Sequence, residues 1–287
     1  MKLDCHIHIL EGKSDRADFR KRLKASGLDG GVLISPPPPC FPTLCRPQPA
    51  EVRLKQLLFW TTGAPHLYPF FWVDPLEKGA LHQVDKAAVS GVSGFKIICD
   101  HFPPGHPKAM AVYRRIASHN KPILFHSGIL WDGKSSSSFN RPGEFEALLE
   151  IDRLRFALAH LAWPWCDELI AVYGKFQSAY ALRKELSVEM FMDITPGTPP
   201  LFRQEALTKL LKTGYDVENN VMFGSDCRTN VYNNDWTLSW LSRDRAIYRK
   251  LRIPARIVSK IHGENLLRFL GLKKGLLRRT GLRPGEY

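Results

Sequence analysis

Short apolar runs alternate with segments of helical periodicity along most of this chain. Eight nearly all-apolar runs of five to seven residues predict strands, and each run is followed by a segment that predicts a helix. The predicted strands cover residues 3–9, 29–35, 67–73, 93–98, 122–126, 154–160, 188–194 and 221–226. The helices predicted after the first seven strands cover residues 15–26, 51–62, 76–90, 107–119, 143–152, 165–185 and 203–213. This alternation predicts an α/β protein.

The predicted strands are apolar on both faces, which is typical of a parallel sheet covered by helices on each side. Their count of eight favours closure into a (β/α)8 TIM barrel with a C-terminal helical extension. An open, doubly wound sheet is the alternative, but no glycine-rich phosphate-binding motif follows the first strand. We therefore predict a single barrel domain over residues 1–271 and a basic tail over residues 272–287.

The composition indicates a large core and a basic surface, since 44% of the 287 residues are hydrophobic and the formal net charge is +13. Several basic residues lie in the last fifteen positions: Lys273, Lys274, Arg278, Arg279 and Arg283. The charge permits a nucleic-acid partner, an anionic substrate or a solvated basic surface. Its distribution favours the last two, because no recognised nucleic-acid motif and no aromatic-interleaved basic stripe accompanies it.

The longest apolar runs stay well below the roughly 18 to 20 residues that a membrane-spanning helix needs. The first candidate motif begins at residue 4, which leaves no room for a signal peptide. We expect a cytoplasmic protein without a membrane partner, and the sequence is compatible with a homo-oligomer. The six cysteines contain no C-x-x-C pair, which favours free thiols over disulfides.

Polar residues at the carboxyl ends of the predicted strands are the candidates for chemistry, because barrel active sites lie at that end. These residues are His6, His8, Lys96, His126, His160 and Asp226. Four imidazoles and one carboxylate form a ligand set that zinc prefers and that iron, manganese or cobalt accepts. The pattern therefore predicts a metal site at one rim of the barrel.

The motifs around these residues resemble those of the amidohydrolase superfamily, in particular its amidohydrolase-related branch of decarboxylases and lactonases. The resemblance covers almost the whole chain. It depends on Asp4-x-His6-x-His8, Phe125-His126-Ser127-Gly128, Leu158-Ala159-His160-Leu161, Phe223-Gly224-Ser225-Asp226 and the segment from Ile261 to Leu270. The order and spacing of these blocks carry the resemblance, since no single block is specific.

The resemblance implies that one divalent metal is held by His6, His8, His126 and Asp226, with zinc preferred and manganese, iron or cobalt as alternatives. It implies that His160 lies beside the metal as an acid/base or as a further ligand. A bound divalent ion lowers the pKa of water to about 7, and Asp226 is placed to take the proton that water loses.

Three further side chains are candidates for substrate binding at the rim, where cations and aromatic rings suit a carboxylated ligand. Arg141 lies in the loop after the fifth strand, Arg228 lies two residues beyond Asp226, and Trp131 lies in a rim loop. Each arginine could equally be an exposed surface residue, and Trp131 could equally pack within a loop. Lys96 has three interpretations: a bridging metal ligand, a cation that faces the substrate, or a member of a structural ion pair.

The leading hypothesis from these residues is a metal-dependent hydrolase of a small, carboxylated substrate such as a lactone or another cyclic ester or amide. The alternative is a metal-dependent, non-oxidative decarboxylase of an aromatic or muconate-type acid, because both reactions use the same ligands. A non-catalytic barrel that serves as a binding module is the second alternative. The presence of all five residues, His6, His8, His126, His160 and Asp226, argues against it, because a non-catalytic core would gain from apolar side chains there.

Overall fold

The strands form one parallel sheet in the computed structural model, which describes residues 1–12 and 15–273. Along the sheet the described strands follow the order β8-β7-β6-β5-β4-β3-β2-β1-β9. They are β1 Leu3–His8, β2 Gly30–Ile34, β3 Leu67–Trp72, β4 Gly94–Ile97, β5 Ile123–Phe125, β6 Arg155–Leu158, β7 Glu189–Asp193, β8 Val221–Met222 and β9 Cys227–Arg228. Residues 274–287, most of the predicted basic tail, lie outside the described residues.

Only the first two residues of the predicted eighth strand form a strand, β8, and β9 begins just after its predicted end, so two short segments join the two edges of the sheet. β8 pairs with β7, and β9 pairs with β1. Between them, the Cys5 N–H donates to the Phe223 carbonyl at 2.9 Å and the Asp226 N–H donates to the His6 carbonyl at 3.0 Å. Asp226, immediately before β9, has a φ of +60°, a left-handed conformation that a regular strand does not contain. The parallel sheet is thus closed as in a TIM barrel, which confirms the predicted fold class.

The helices follow the strands as the alternation predicts. They are α1 Arg16–Ala25, α2 Ala50–Thr61, α3 Ala80–Val89, α4 Pro107–Ser118, α5 Cys166–Leu182, α6 Pro200–Lys212, α7 Asn234–Lys250, α8 Ala255–Ser259 and α9 Asn265–Phe269. The helix predicted from residue 76 begins only at Ala80, because Asp74 accepts the Leu76 N–H in a turn and Gly79 is left-handed. The segment Pro142–Glu150 is a tighter 3-10 helix rather than the predicted α-helix.

Alternate residues of each strand face the barrel interior and the helices. Phe70, Leu124 and Phe191 belong to the inner core, whereas Phe95 and Phe125 pack in the layer between sheet and helices. At the amino ends of the strands, the Phe269 ring of α9 lies 6.2 Å from Phe70 and 5.1 Å from Phe191 between ring centroids. The C-terminal helical segment therefore closes that end of the barrel and leaves the carboxyl end accessible.

Among the described residues, none of the helices combines the length and the apolar composition that spanning a bilayer requires.

Candidate metal centre

An irregularity in β1 turns its two histidines toward the barrel interior. The register between β1 and β2 shifts between Asp4 and Ile7, so β1 carries one extra residue there. Such bulges re-aim side chains and are frequent beside active sites. Beyond the shift, Ile7 and Ile9 pack in the outer layer, and therefore His6 and His8 face the interior.

His6, His8 and Asp226 bring three donor atoms together at the carboxyl end of the barrel. The Nε2 atoms of His6 and His8 are 3.1 Å apart. Oδ1 of Asp226 lies 3.8 Å from His6 Nε2 and 3.4 Å from His8 Nε2. One ligand atom from each residue falls within 4.8 Å of the others, a separation that suits a single shared cation.

The loop before Asp226 is fastened to β1 by the Asp4 carboxylate. Asp4 accepts hydrogen bonds from the Ser225 N–H at 2.9 Å, the Ser225 hydroxyl at 2.5 Å and the Tyr232 hydroxyl at 3.2 Å. Burial raises the pKa of the Asp4 carboxyl to about 7, although these donors oppose the rise. A Cβ on the intervening Gly224 would lie 2.8 Å from His6 Cβ, so only glycine permits this close approach.

Asp193 at the end of β7 orients His6, although it is not among the site residues predicted from the sequence. Its Oδ2 lies 2.7 Å from His6 Nδ1, and both side chains are almost fully buried. When His6 Nδ1–H donates to this carboxylate, the lone pair of Nε2 is left for a metal. The Thr195 N–H fixes the other carboxylate oxygen at 2.7 Å. The available signal was the polar end of an otherwise apolar strand, Met190-Phe191-Met192-Asp193.

His160 and His126 continue the row of imidazoles away from His6. The His160 ring centroid lies 5.2 Å from that of His6 and 5.0 Å from that of His126. His160 Nδ1 lies 3.3 Å from the Pro196 carbonyl, and His126 Nε2 lies 3.2 Å from the Ile129 carbonyl. His126 is therefore near the centre, but it is not within the group of three close donor atoms found in the described part of the chain.

The charge states of this centre suit a cation. Burial lowers the pKa of the His6, His126 and His160 imidazoles, which makes them neutral donors at pH 7. Desolvation also opposes ionisation of Asp226, but its interactions with His8, His6 and His160 outweigh it and lower the pKa of this carboxyl. Two imidazoles beside a carboxylate, with one imidazole oriented by Asp193, are a donor set that fits a divalent metal such as zinc.

Lys96 lies on the inner face of β4 with 1% of its surface exposed. Burial lowers the pKa of its ammonium to about 8, while the charges of Asp193 and Asp226 oppose that fall. No hydrogen-bond partner for Nζ is present in residues 1–12 and 15–273. Lys96 therefore has no acidic side chain at ion-pair distance within the described chain, which argues against its interpretation as a member of a structural ion pair.

A cavity of about 140 Å³ opens beside Asp226 and His160. Its lining consists of His126, Ser127, Ile129, Trp131, His160, Trp163, Pro196, Gly197 and Asp226. Trp131 stands at the mouth with 83% of its surface exposed.

The two arginines expected at the rim are not among the residues that line this cavity. The Arg141 guanidinium is held by Glu168 at 2.7 Å and lies over the Trp165 ring at 5.2 Å, because this acidic and aromatic pair satisfies it locally. Arg228 is exposed on β9, where it pairs in register with His8.

Solved structures with the same fold include several enzymes. A probable 2-pyrone-4,6-dicarboxylic acid hydrolase from Acinetobacter baumannii, solved with citric acid bound, has a TM-score of 0.58 and 13% identity over 94% of this chain and 99% of that chain. The 2,6-dihydroxybenzoate decarboxylase from Rhizobium has a TM-score of 0.63 and 13% identity, over 94% of this chain and 98% of that chain. The dihydroorotase from Campylobacter jejuni has a TM-score of 0.57 and 16% identity, over 96% of this chain and 84% of that chain. At these identities the likeness concerns the fold.

No curated protein sequence matches the chain. The family model described as amidohydrolase matches residues 55–272, which is well over half of the chain and includes Lys96, His126, His160 and Asp226. This match confirms the resemblance that the sequence motifs indicate. The chain therefore belongs to the amidohydrolase family.

Proposed function

We propose that the protein is a metal-dependent hydrolase of a small, carboxylated substrate, with a lactone or another cyclic ester or amide as the bond that it opens. The observation that carries the proposal is the group of His6, His8 and Asp226 donor atoms within 4.8 Å of one another. The group adjoins a cavity through Asp226. Membership of the amidohydrolase family supports the same conclusion.

His6, His8 and Asp226 would hold the metal, and His126 is the proposed fourth ligand. Zinc is the preferred ion, with manganese, iron or cobalt as alternatives, because neutral imidazoles and one carboxylate suit all of them. When it is bound, the ion supplies Lewis acidity, which polarises a carbonyl and makes water acidic enough to react near pH 7.

Two side chains of the cavity are proposed to move protons. The Asp226 carboxylate is 39% exposed and ionised, so it can accept the proton of an attacking water. His160 is a neutral imidazole, and donation from Nδ1 to Pro196 leaves the Nε2 lone pair free to take up a proton released by the attacking water and then pass it to the leaving oxygen or nitrogen. Trp131 and Trp163 would limit the access of bulk water, since both line the cavity.

Substrate recognition is proposed to involve cations around the centre. Lys96 is buried beside Asp193 and Asp226 and would attract an anionic group. Arg228 and Arg141 are proposed to guide an anionic substrate to the rim of the barrel. Arg141 would have to break its ion pair with Glu168 to reach a substrate.

We also propose that residues 1–271 form one domain.

Decarboxylation is the second candidate function. His160 stands beside His6, where its imidazole, after taking up a proton at Nε2, could deliver that proton to carbon. A structural neighbour, the Rhizobium enzyme, is described as a decarboxylase. The non-catalytic binding module remains the third candidate and makes a different prediction, since it needs no metal.

Metal analysis together with a substrate panel tests these candidates. We expect one equivalent of metal per chain and opening of a carboxylated lactone that stops when the metal is removed by a chelator. If carbon dioxide is released from an aromatic acid and no lactone is opened, decarboxylation replaces hydrolysis as the proposed function. A metal-free protein that gains no thermal stability from zinc or manganese would contradict both enzymatic proposals.

A further inference from the structure

Trp72 and Lys96 stand side by side on the inner wall of the barrel. They are register partners on the neighbouring strands β3 and β4. Trp72 belongs to the inner core cluster, whereas Phe95 and Ile97, on either side of Lys96, pack in the outer layer. Both side chains therefore point to the interior, where neighbouring strands are only about 4.8 Å apart.

Each of these two side chains buries a hydrogen-bond donor that the fold does not use. Trp72 and Lys96 are both 1% exposed. Trp72 Nε1 and Lys96 Nζ have no hydrogen-bond partner among the residues that the structure describes. Buried polar groups in folded proteins nearly always have a partner, and a buried ammonium without one is especially unfavourable. Two unused donors on adjacent strands therefore point to a ligand.

The pair adjoins the candidate metal centre. The Trp72 ring centroid lies 5.8 Å from that of His8. The Lys96 ammonium is close enough to Asp226 and Asp193 for electrostatic interaction with both carboxylates. A group bound by Trp72 and Lys96 would thus lie next to the atoms that hold the metal.

We propose that Trp72 and Lys96 form a subsite for one carboxylate of the substrate, an inference that depends on the proposed function of the centre. An indole N–H and an ammonium only donate hydrogen bonds, so their common ligand must offer acceptor atoms. A carboxylate supplies two oxygens and a negative charge, which suits a wall that carries a cation.

This subsite also selects between the two reactions. Donors on a carboxylate stabilise its negative charge, and that charge is lost from the group when it leaves as neutral carbon dioxide. Interactions that are weaker in the transition state than in the bound substrate slow a reaction. A carboxylate held by Trp72 and Lys96 is therefore an anchor that survives the reaction, and the substrate class is a cyclic ester or amide that carries an additional carboxylate.

Binding of benzoate and benzamide to the purified full-length protein tests the subsite, because the two probes share a shape and differ in charge. Calorimetric titration is carried out on metal-loaded and on metal-stripped protein. We expect benzoate to bind more tightly than benzamide. Trp72→Phe, which keeps a ring and removes the N–H, should weaken benzoate binding about tenfold and leave benzamide binding unchanged. Lys96→Met should weaken benzoate binding further.

Trp240→Phe is the matched control for Trp72→Phe. Trp240 Nε1 is also buried without a partner in the described chain, but Trp240 packs in the outer layer of the fold. Its substitution should change neither affinity. The metal content of all variants is measured in parallel, and it should equal that of the wild type.

Three results would overturn the carboxylate subsite. The first is equal affinity of the wild type for benzoate and benzamide. The second is an equal loss of both affinities in Trp72→Phe, which would assign Trp72 to packing. The third is uptake of two metal equivalents that requires bicarbonate and disappears in Lys96→Met, which would assign Lys96 to the metal. If the wild type binds no metal but retains the Trp72-dependent preference for benzoate, the subsite stands and the metal-dependent reaction fails.

Discussion

Asp193 illustrates how one buried carboxylate determines what a neighbouring side chain can do. It is 187 positions from His6 in the chain, yet the two side chains are joined at 2.7 Å. A neutral imidazole carries one proton, and the acceptor at Nδ1 decides that this proton is not on Nε2. The orientation and the basicity of His6 therefore depend on a residue that no local motif includes.

Asp193→Asn is expected to weaken zinc binding about 10-fold to 100-fold, because the amide carries no charge and no longer enforces one His6 tautomer. Competition titration against a chromophoric chelator measures the effect. Asp85→Asn is the control, since Asp85 also lies 2.7 Å from a histidine, His119, but on the helical surface. Unchanged zinc affinity in Asp193→Asn would remove Asp193 from the centre.

His126 and His160 are expected to respond differently to truncation. His126→Ala should lower metal occupancy, because His126 is the proposed fourth ligand. His160→Ala should retain the metal and lose turnover, because its imidazole is proposed to transfer a proton. Metal analysis and activity are measured on the same preparations, with circular dichroism as a test of folding. Loss of metal from His160→Ala would make His160 a ligand, in keeping with its ring contact to His6.

At the scale of elements, the segment Lys260–Glu264 between α8 and α9 buries His262 against β8. The His262 ring lies 5.6 Å from Phe223 and 6.1 Å from Tyr248 between centroids. Burial lowers the pKa of this imidazole to about 4, and the nearby charges that act on it come from Asp244, Arg245 and Lys2. The folded protein therefore disfavours the protonated form of His262.

His262→Gln is expected to reduce the acid sensitivity of folding. The unfolded pKa is 6.5 and the folded pKa is about 4, so the unfolded state binds more protons between these values and stability falls as the pH decreases through this window. One such group contributes at most about 1.4 kcal/mol per pH unit. The free energy of unfolding is measured by urea titration at several pH values from 7.5 to 4.5, and its fall with decreasing pH should be smaller for the variant. An identical pH dependence of the unfolding free energy in both proteins would show that His262 does not contribute to this loss of stability.

At the scale of the molecule, metal binding should stabilise the whole barrel, because His6 and His8 come from its first strand and Asp226 from the closing segment. Zinc that binds only the folded state adds about 2.7 kcal/mol at a free concentration of 100 times Kd. Differential scanning calorimetry should show a higher Tm with zinc and reversal by a chelator. His8→Ala should remove most of this shift. An equal shift in His8→Ala would place the stabilising ion elsewhere.

The alternation of apolar runs and helical segments was sufficient to predict the α/β barrel and the approximate positions of its strands. This worked because strand and helix periodicities are local properties that survive in the folded chain. The prediction of one continuous eighth strand was wrong, because the left-handed conformation of Asp226 depends on contacts with β1. The late start of α3 at Ala80 likewise follows from the turn at Asp74.

The sequence by itself determined which strands end in imidazole, carboxylate or ammonium groups, and therefore the kind of chemistry that the barrel can support. Only the tertiary structure decided which of these groups meet. It joined Asp193 to His6, placed Trp72 beside Lys96, and paired Arg141 with Glu168 away from the cavity. The physical reason is that side-chain direction repeats along a strand, whereas contacts between strands depend on register, bulges and burial across the whole sheet.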